Sequence, residues 1–192
     1  VSESNINRQI IALNSVIGQK KADLFAARLL DINPDLKLDC ICDFYSKNME
    51  QELFSTKPDF VVDAIDTMRS KIDLLVFCKE NNIPVVTSMG AGNRFDPTQL
   101  YIADIKDIEN KKCTFTKNVL YQLKKRGIES GITAVCSKEA PKVTEKISTV
   151  ENIETKDGEH IEFTKITPGS TPFVPAVAGY FMSFWVIKQL LQ

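Results

Sequence analysis

Apolar positions recur with two different periods along this 192-residue chain. From Gln19 onward Ala22, Phe25, Ala26 and Leu29 fall at i, i+3, i+4 and i+7, the stripe of an amphipathic helix. Asn33-Pro34 ends it, because the residue before a proline is steered away from helical dihedrals. Leu38, Cys40, Cys42 and Phe44 then alternate with polar residues, which predicts a strand. A short helix is expected over 48–54. The run FVVDAID at 60–66 is almost continuously apolar, the mark of a strand buried on both faces. Thr67 is placed to cap the helix that follows, through about Asn81. IPVVTSMG at 83–90 reads as another buried strand, with GAGNRFDP as its turn. Strands alternating with helices predict an α/β fold, a Rossmann-like and mostly parallel sheet flanked by helices.

The second half carries a different pattern. QLYIADI at 99–105 reads as a strand after a tight turn, a candidate antiparallel partner. Phe115, Val119, Leu120 and Leu123 mark an amphipathic helix to about Arg126, and ITAVCSK at 132–138 a further strand. Residues 139–170 are rich in Lys, Glu, Thr and Gly and alternate only weakly. They predict a long surface excursion with one hairpin around Lys156-Asp157-Gly158; excursions of that length tend to be functional or mobile. Pro172 and Pro175 open a terminal helix over 173–192, expected to be buried. The whole is expected to form a single domain.

Composition narrows the function classes. Apolar residues make 43% of the chain and the net charge is −1, so no global basic field draws it to nucleic acid or membrane; any such contact must be a local patch. The five cysteines contain no C-x-x-C pair, which argues against a zinc site and suits a reducing cytoplasm. Cys40 and Cys42 would share one face of their strand and are read as core residues. The apolar stretch 173–187 is shorter than the ~20 residues a bilayer needs, so no membrane span is expected. His160 is the sole histidine and lies in the excursion, which argues against histidine acid–base catalysis and histidine-ligated metal.

Candidate chemistry concentrates where ligands bind in open parallel sheets, outside the carboxyl ends of the strands. One strand ends at Asp66, another at the turn Gly90–Arg94. Asp63 lies inside its strand and needs a partner if buried; a structural role is favoured for it. Lys20 and Lys21 open a helix, the end where the dipole disfavours cations, so an anion is expected nearby unless the lysines are merely solvated. The first motif, ESNINRQI at 3–10, gathers amides and an arginine before any core is built.

In order, SNINRQI, IGQKKAD, INP, VVDAIDT and IPVVTSMGAGNRFDPTQ resemble the ubiquitin-activating-like adenylating enzymes of the ThiF, MoeB and HesA type. GAGNRFDPTQLYIADI and LKKRGIESGITAVCSKEAP look most like the branch of tRNA threonylcarbamoyladenosine dehydratases. The resemblance implies ATP-dependent cyclisation of threonylcarbamoyladenosine beside the anticodon: the substrate carboxylate is adenylated and ring closure expels AMP. It implies that Asn5, Arg8 and Gln9 border ATP phosphates or ribose, that Lys21 reaches the phosphates, and that Asp66 holds Mg2+. A monovalent alkali cation is a further cofactor candidate. Arg8, Lys21 and Asp66 would be the catalytic set, since adenylyl transfer needs fixed cations and donors where negative charge develops.

The basic cluster Lys117, Lys124, Lys125 and Arg126 is a candidate tRNA contact, against a solvated helix face. A homodimer and a sulfur-transfer protein partner are also implied. The alternatives are adenylation of a ubiquitin-like sulfur carrier, which the segment GSTPFVPAVAG equally suggests, and an inactive or partner-dependent fragment. The family's first strand–helix–strand unit, with its glycine-rich phosphate turn, has no counterpart ahead of SNINRQI. The expectation is therefore that residues 1–192 are the carboxyl-terminal part of a longer polypeptide.

Overall fold

The apolar runs at 60–66, 83–90 and 132–138 become the parallel part of one sheet. The computed structural model describes residues 1–109, 112–142, 147–154 and 160–192. Strand β1 (Val61–Asp63) pairs in parallel with β2 (Val85–Ser88), and β2 in parallel with β4 (Thr133–Ser137). Strand β3 (Leu100–Asp104) lies antiparallel on the far side of β4, giving the order β1-β2-β4-β3. A separate antiparallel hairpin joins β5 (Ile147–Glu154) to β6 (His160–Thr167). The excursion thus contains the expected hairpin; its turn at 155–159, with Lys156-Asp157-Gly158, lies outside the described residues.

Each face of the sheet has its own core. Helices α3 (Met68–Glu80) and α4 (Thr114–Lys125) cover one face, where Leu75, Cys78, Val85, Val119, Leu123, Ile132 and Ala134 form one cluster. Helix α5 (Phe173–Leu190) covers the other, packing Ala178 and Met182 on Val86 and Val135. Val85 and Val86 serve opposite cores because successive strand residues point to opposite faces.

Five features depart from what the sequence pattern suggests. The stretch 38–44 forms no strand, and Cys40, Cys42 and Phe44 are exposed. Alternation fixes which residues would share a face; it supplies no partner backbone, and a strand needs one. Strand β1 is not buried on both faces: it pairs only with β2, and Val62 is 52% exposed. The short helix expected over 48–54 forms as α2 (Glu50–Leu53), and helix α1 (Lys21–Ile32) forms where the stripe predicts, yet Phe25, Leu29 and Leu30 of α1 remain exposed. The terminal helix is buried on one face only, through Val174, Ala178 and Met182, while Tyr180 and Phe184 face outward. By length and composition α5 is apolar enough to cross a membrane, but its inner face lies on the sheet. Thr67 takes the N-cap position of α3 without capping it through its hydroxyl.

Leu123 is fully buried between α4 and the sheet. Leu123→Ala should cost about 2–5 kcal/mol, the range for emptying a close-packed leucine site, read as a lower urea midpoint. Tyr121→Ala, two residues away on the exposed side of the helix, should shift that midpoint far less.

Candidate functional site

Asp63 closes β1 and is 1% exposed. Its two carboxylate oxygens do different work. Oδ1 accepts the Ile65 N–H at 2.9 Å, shaping the turn beyond the strand. Oδ2 accepts from Lys71 Nζ at 2.5 Å and from the Thr87 hydroxyl at 2.7 Å. Lys71 Nζ also donates to Thr87 Oγ1 at 2.9 Å. The partner that a buried Asp63 requires is therefore Lys71, one turn into α3 and itself without solvent exposure. Burial pushes the Lys71 ammonium below the usual lysine range, opposed by the Asp63 charge and, more weakly, by Asp66. Asp66 is exposed on the turn, its carboxylate 3.5 Å from the Thr67 hydroxyl.

The glycine-rich turn after β2 is closed by two side chains. Arg94, 4% exposed, donates from Nη1 to the Gly90 carbonyl and from Nε to the Glu139 carbonyl at 3.2 Å. The Glu139 carboxylate accepts the Phe95 and Asp96 N–H groups at 3.0 and 2.9 Å. Asn93 sits at φ 58°, a left-handed conformation that asparagine tolerates better than most residues. Its N–H donates to the Gly169 carbonyl and its Oδ1 accepts the Gly169 N–H, each at 2.7 Å. At Gly92 a Cβ would stand 2.8 Å from Pro168, so only glycine lets the two backbones approach.

The next residue, Ser170, carries the link onward: its carbonyl accepts from Asn7 Nδ2 at 2.9 Å. The amino-terminal motif is thereby tied to the turn at Gly90–Arg94. Within the motif Asn5 is buried and its Oδ1 accepts the Ser2 N–H at 3.2 Å. Arg8 is half-buried and donates to the Ser4 carbonyl and to Asn7 Oδ1. Gln9 Oε1 is buried without a hydrogen-bond partner, as is the Thr171 hydroxyl. The Val1 amino group donates to the Gln19 carbonyl, and Gly18 N–H to the Val1 carbonyl at 2.8 Å. These bonds bring the start of the chain to the head of α1, where Lys20 is the N-cap and Lys21 the first helical residue, both exposed. That helix end has no side-chain cap, so its N–H groups and the two lysines present positive charge together.

The structure thus gathers Asn5, Arg8, Gln9 and Lys21 around one chain terminus, and places Asp66 three residues beyond the end of β1, on the turn, rather than at the strand end expected for it. Among the described residues no hydrogen bond or ion pair joins Asp66 to Arg8 or Lys21. Lys117, Lys124, Lys125 and Arg126 are all exposed on or just after α4. Lys124 pairs with Glu129 at 3.3 Å, Lys125 stands 4.6 Å over the Tyr121 ring, and Arg126 reaches Asp73 at 4.0 Å.

Sequence reading missed Lys71 and Glu139. A lysine on the apolar side of a helix, with Leu75 at i+4 and Cys78 at i+7, was the available signal for Lys71. Glu139 carried none, since the Phe95 and Asp96 N–H groups that its carboxylate accepts lie over forty residues away. Cys40 and Cys42, read as core, instead offer thiols beside Asp23, the three ligand atoms within 4.8 Å of one another. Cys42 Sγ donates to Asp23 Oδ1 at 3.0 Å, and that bond pushes the thiol up to about 11.

A parallel sheet with a carboxylate just beyond one strand end and a glycine-rich turn after the next, to which the amino-terminal motif is bonded through Asn7, is the kind of α/β architecture in which ligands lie outside the strand ends. The chain belongs to the ThiF family, whose model matches residues 1–192. It is 38% identical over 192 residues to the tRNA threonylcarbamoyladenosine dehydratase of Bacillus subtilis (strain 168), covering all of this chain and 74% of that protein. The dehydratase of Haemophilus influenzae is 33% identical over 199 residues, covering 98% of this chain and 72% of the relative. Among solved structures, Escherichia coli tRNA N6-threonylcarbamoyladenosine dehydratase, TcdA, in complex with AMP matches with a TM-score of 0.82 at 27% identity. That match covers all of this chain and 72% of that one. The same protein in complex with ATP matches at 0.79 and 28%, with the same coverage.

Thiolate is the reactive form of cysteine. Cys42 should therefore alkylate slowly with iodoacetamide at pH 8, well below its raised value of about 11. Asp23→Ala removes the acceptor that holds the proton and should speed Cys42 alkylation at least about tenfold, followed by peptide mass spectrometry.

Proposed function

We propose that this chain is the ATP-dependent domain of a tRNA threonylcarbamoyladenosine dehydratase. The observation that carries the reading is the bonded chain Asn7–Ser170–Gly169–Asn93. It unites the amino-terminal donor motif with the glycine-rich turn, both of which resemble this branch. The names of the relatives in Bacillus and Haemophilus support it, as do the AMP- and ATP-bound relatives of the same fold.

The residues present suit a nucleotide. Gln9 Oε1, buried and unpartnered, is an acceptor looking for a hydroxyl such as a ribose supplies. The Arg8 guanidinium is a donor fork suited to phosphate oxygens. Lys21 stands with free helix N–H groups at the head of α1, a place that favours an anion. Asp66 is an exposed carboxylate with open lone pairs, the type of oxygen ligand that takes Mg2+ together with substrate phosphates. Bound there, Mg2+ would neutralise phosphate charge. No described residue is assigned to an alkali cation.

In the reaction a carboxylate oxygen of the threonylcarbamoyl group bonds to the α-phosphorus of ATP, and pyrophosphate leaves. An atom of the same group then closes on the activated acyl carbon, and AMP leaves. Adenylation moves no proton, and ring closure releases one, from the ureido N–H, to solvent. Arg8 and Lys21 hold the phosphates and stabilise charge as it shifts toward the leaving oxygens. The tRNA would be met by Lys117 and the basic end of α4. A homodimer in the cytoplasm, with a sulfur-transfer partner outside the reaction itself, completes the reading.

The deciding experiment adds ATP and tRNA carrying threonylcarbamoyladenosine and measures AMP release. Release that depends on the modified tRNA supports the proposal; release that depends instead on a ubiquitin-like carrier protein overturns it in favour of carrier adenylation. In that assay Asp66→Asn should lower the rate by about 10²–10³, the usual effect of removing one electrostatic group from such a site. Circular dichroism should be unchanged, because Asp66 is exposed. Lys21→Ala should weaken nucleotide binding about tenfold by calorimetry, the worth of a charge-assisted hydrogen bond, with an unchanged melting temperature.

A further inference from the structure

The turn that carries Asp66 is held from below by a buried ionic triad. Lys71, Asp63 and Thr87 are 0%, 1% and 0% exposed. They come from three elements: α3, the end of β1 and the middle of β2, where Asp63 and Thr87 are register partners. The chain leaves β1 at Asp63, passes through the turn at 64–67 and enters α3. Lys71 then reaches back to Asp63 and closes the loop beneath the turn. Inside that loop Asp63 Oδ1 holds the Ile65 N–H, one residue before Asp66. The Lys71 N–H donates to the Thr67 carbonyl at 3.0 Å, one residue after it. One shoulder of Asp66 is therefore held by the Asp63 carboxylate itself, and the other by the first backbone bond of α3, whose position the Lys71 side chain ties to Asp63.

Stability is a weak reason for such an arrangement. Desolvating two charges cancels much of their attraction, and apolar residues of similar volume often do as well. What a buried, fully hydrogen-bonded pair does provide is a single geometry, since any rearrangement strands a charge without water. The Asp66 carboxylate is also near enough to the Lys71 ammonium to affect its proton affinity. We propose that the Lys71–Asp63–Thr87 triad is the positioning element of the nucleotide site, fixing the turn so that Asp66 presents its carboxylate to the phosphate-bound divalent cation. This rests on the assignment of Asp66 above. The three residues touch neither nucleotide nor substrate; they act through the backbone of residues 64–67.

The test uses the full chain and reads Mg2+ rather than turnover. ATP binding is followed by calorimetry at increasing Mg2+, giving the half-saturating Mg2+ concentration and the ATP affinity without Mg2+. Thr87→Val keeps the shape and removes both hydroxyl bonds; Thr87→Ser keeps them. The valine variant should raise the half-saturating Mg2+ about tenfold, as loss of a supporting partner behind a metal ligand typically does, with ATP affinity in the absence of Mg2+ unchanged. The serine variant should stay near the parent. The paired variant Lys71→Met with Asp63→Asn removes both charges together, so none is stranded, and should show the same rise. A lowered melting temperature with unchanged Mg2+ dependence in both the valine and the paired variants, while Asp66→Asn raises it, would overturn the positioning role and leave the Asp66 assignment standing. If Asp66→Asn leaves the Mg2+ dependence unchanged as well, that assignment fails and the positioning role fails with it.

Discussion

An ammonium, a carboxylate and a hydroxyl meet without water where β1, β2 and α3 join, and the geometry of the strand ends follows from that contact. Asp63 and Thr87 are in register, so the contact fixes how β1 lies on β2. Lys71 belongs to α3, so the same contact fixes how that helix begins relative to the sheet. Around it the apolar residues Ile72, Leu75 and Cys78 pack as in any core and tolerate small adjustments; a buried charge tolerates far fewer. The polar triad thus sets the geometry that the apolar cluster then stabilises.

A second constraint, independent of the first, assembles the remainder of the site. Segments around residues 7, 93, 139 and 169 are far apart in sequence and are joined by hydrogen bonds rather than by packing. Asn93 is the hinge of this network because its left-handed backbone lets both its N–H and its side-chain carbonyl face Gly169. Arg94, next in sequence, turns inward to Gly90 and Glu139, so this arginine builds the turn. The division follows burial: a guanidinium 4% exposed serves the backbone that surrounds it, whereas the half-buried Arg8 keeps one side open to solvent.

How much of this the sequence disclosed depends on the range of the interactions. The β1–α3–β2–β3–α4–β4–α5 order was legible because each element carries its own period and its own stops. The antiparallel placement of β3 was legible from the tight turn before it. Asp66 could be placed because a strand end is a local feature, and the need of Asp63 for a partner was legible from the cost of burying a charge. Which residue met that need was not, since nothing local selects Lys71 over a solvated lysine. The fate of 38–44 was illegible for the same reason in reverse. Its alternation states which side chains would share a face, but pairing is a property of two segments, and the Cys42 thiol instead donates a hydrogen bond to Asp23. Helix α1 shows the same limit: its stripe predicts the helix, but a stripe does not supply the surface that would cover it, and Phe25 and Leu29 stay exposed.

The same distinction between local and ligand-directed causes sorts the basic residues of α4. Lys124, Lys125 and Arg126 sit at a helix carboxyl end, where the dipole favours cations, and each has a partner in Glu129, Tyr121 or Asp73. Their presence is explained without a polyanion. Lys117 is different. It lies in the first half of α4, on the end that disfavours positive charge, and it is exposed. At helical spacing it shares a face with Tyr121 and Lys124, four and seven residues on. With a net charge of −1, any contact with RNA has to come from a local patch, and a patch is best recognised by a cation that the fold itself does not require. Lys117 fits that description more closely than its three neighbours, because neither the helix dipole nor an ion pair among the described residues accounts for its place on the Lys117–Tyr121 face.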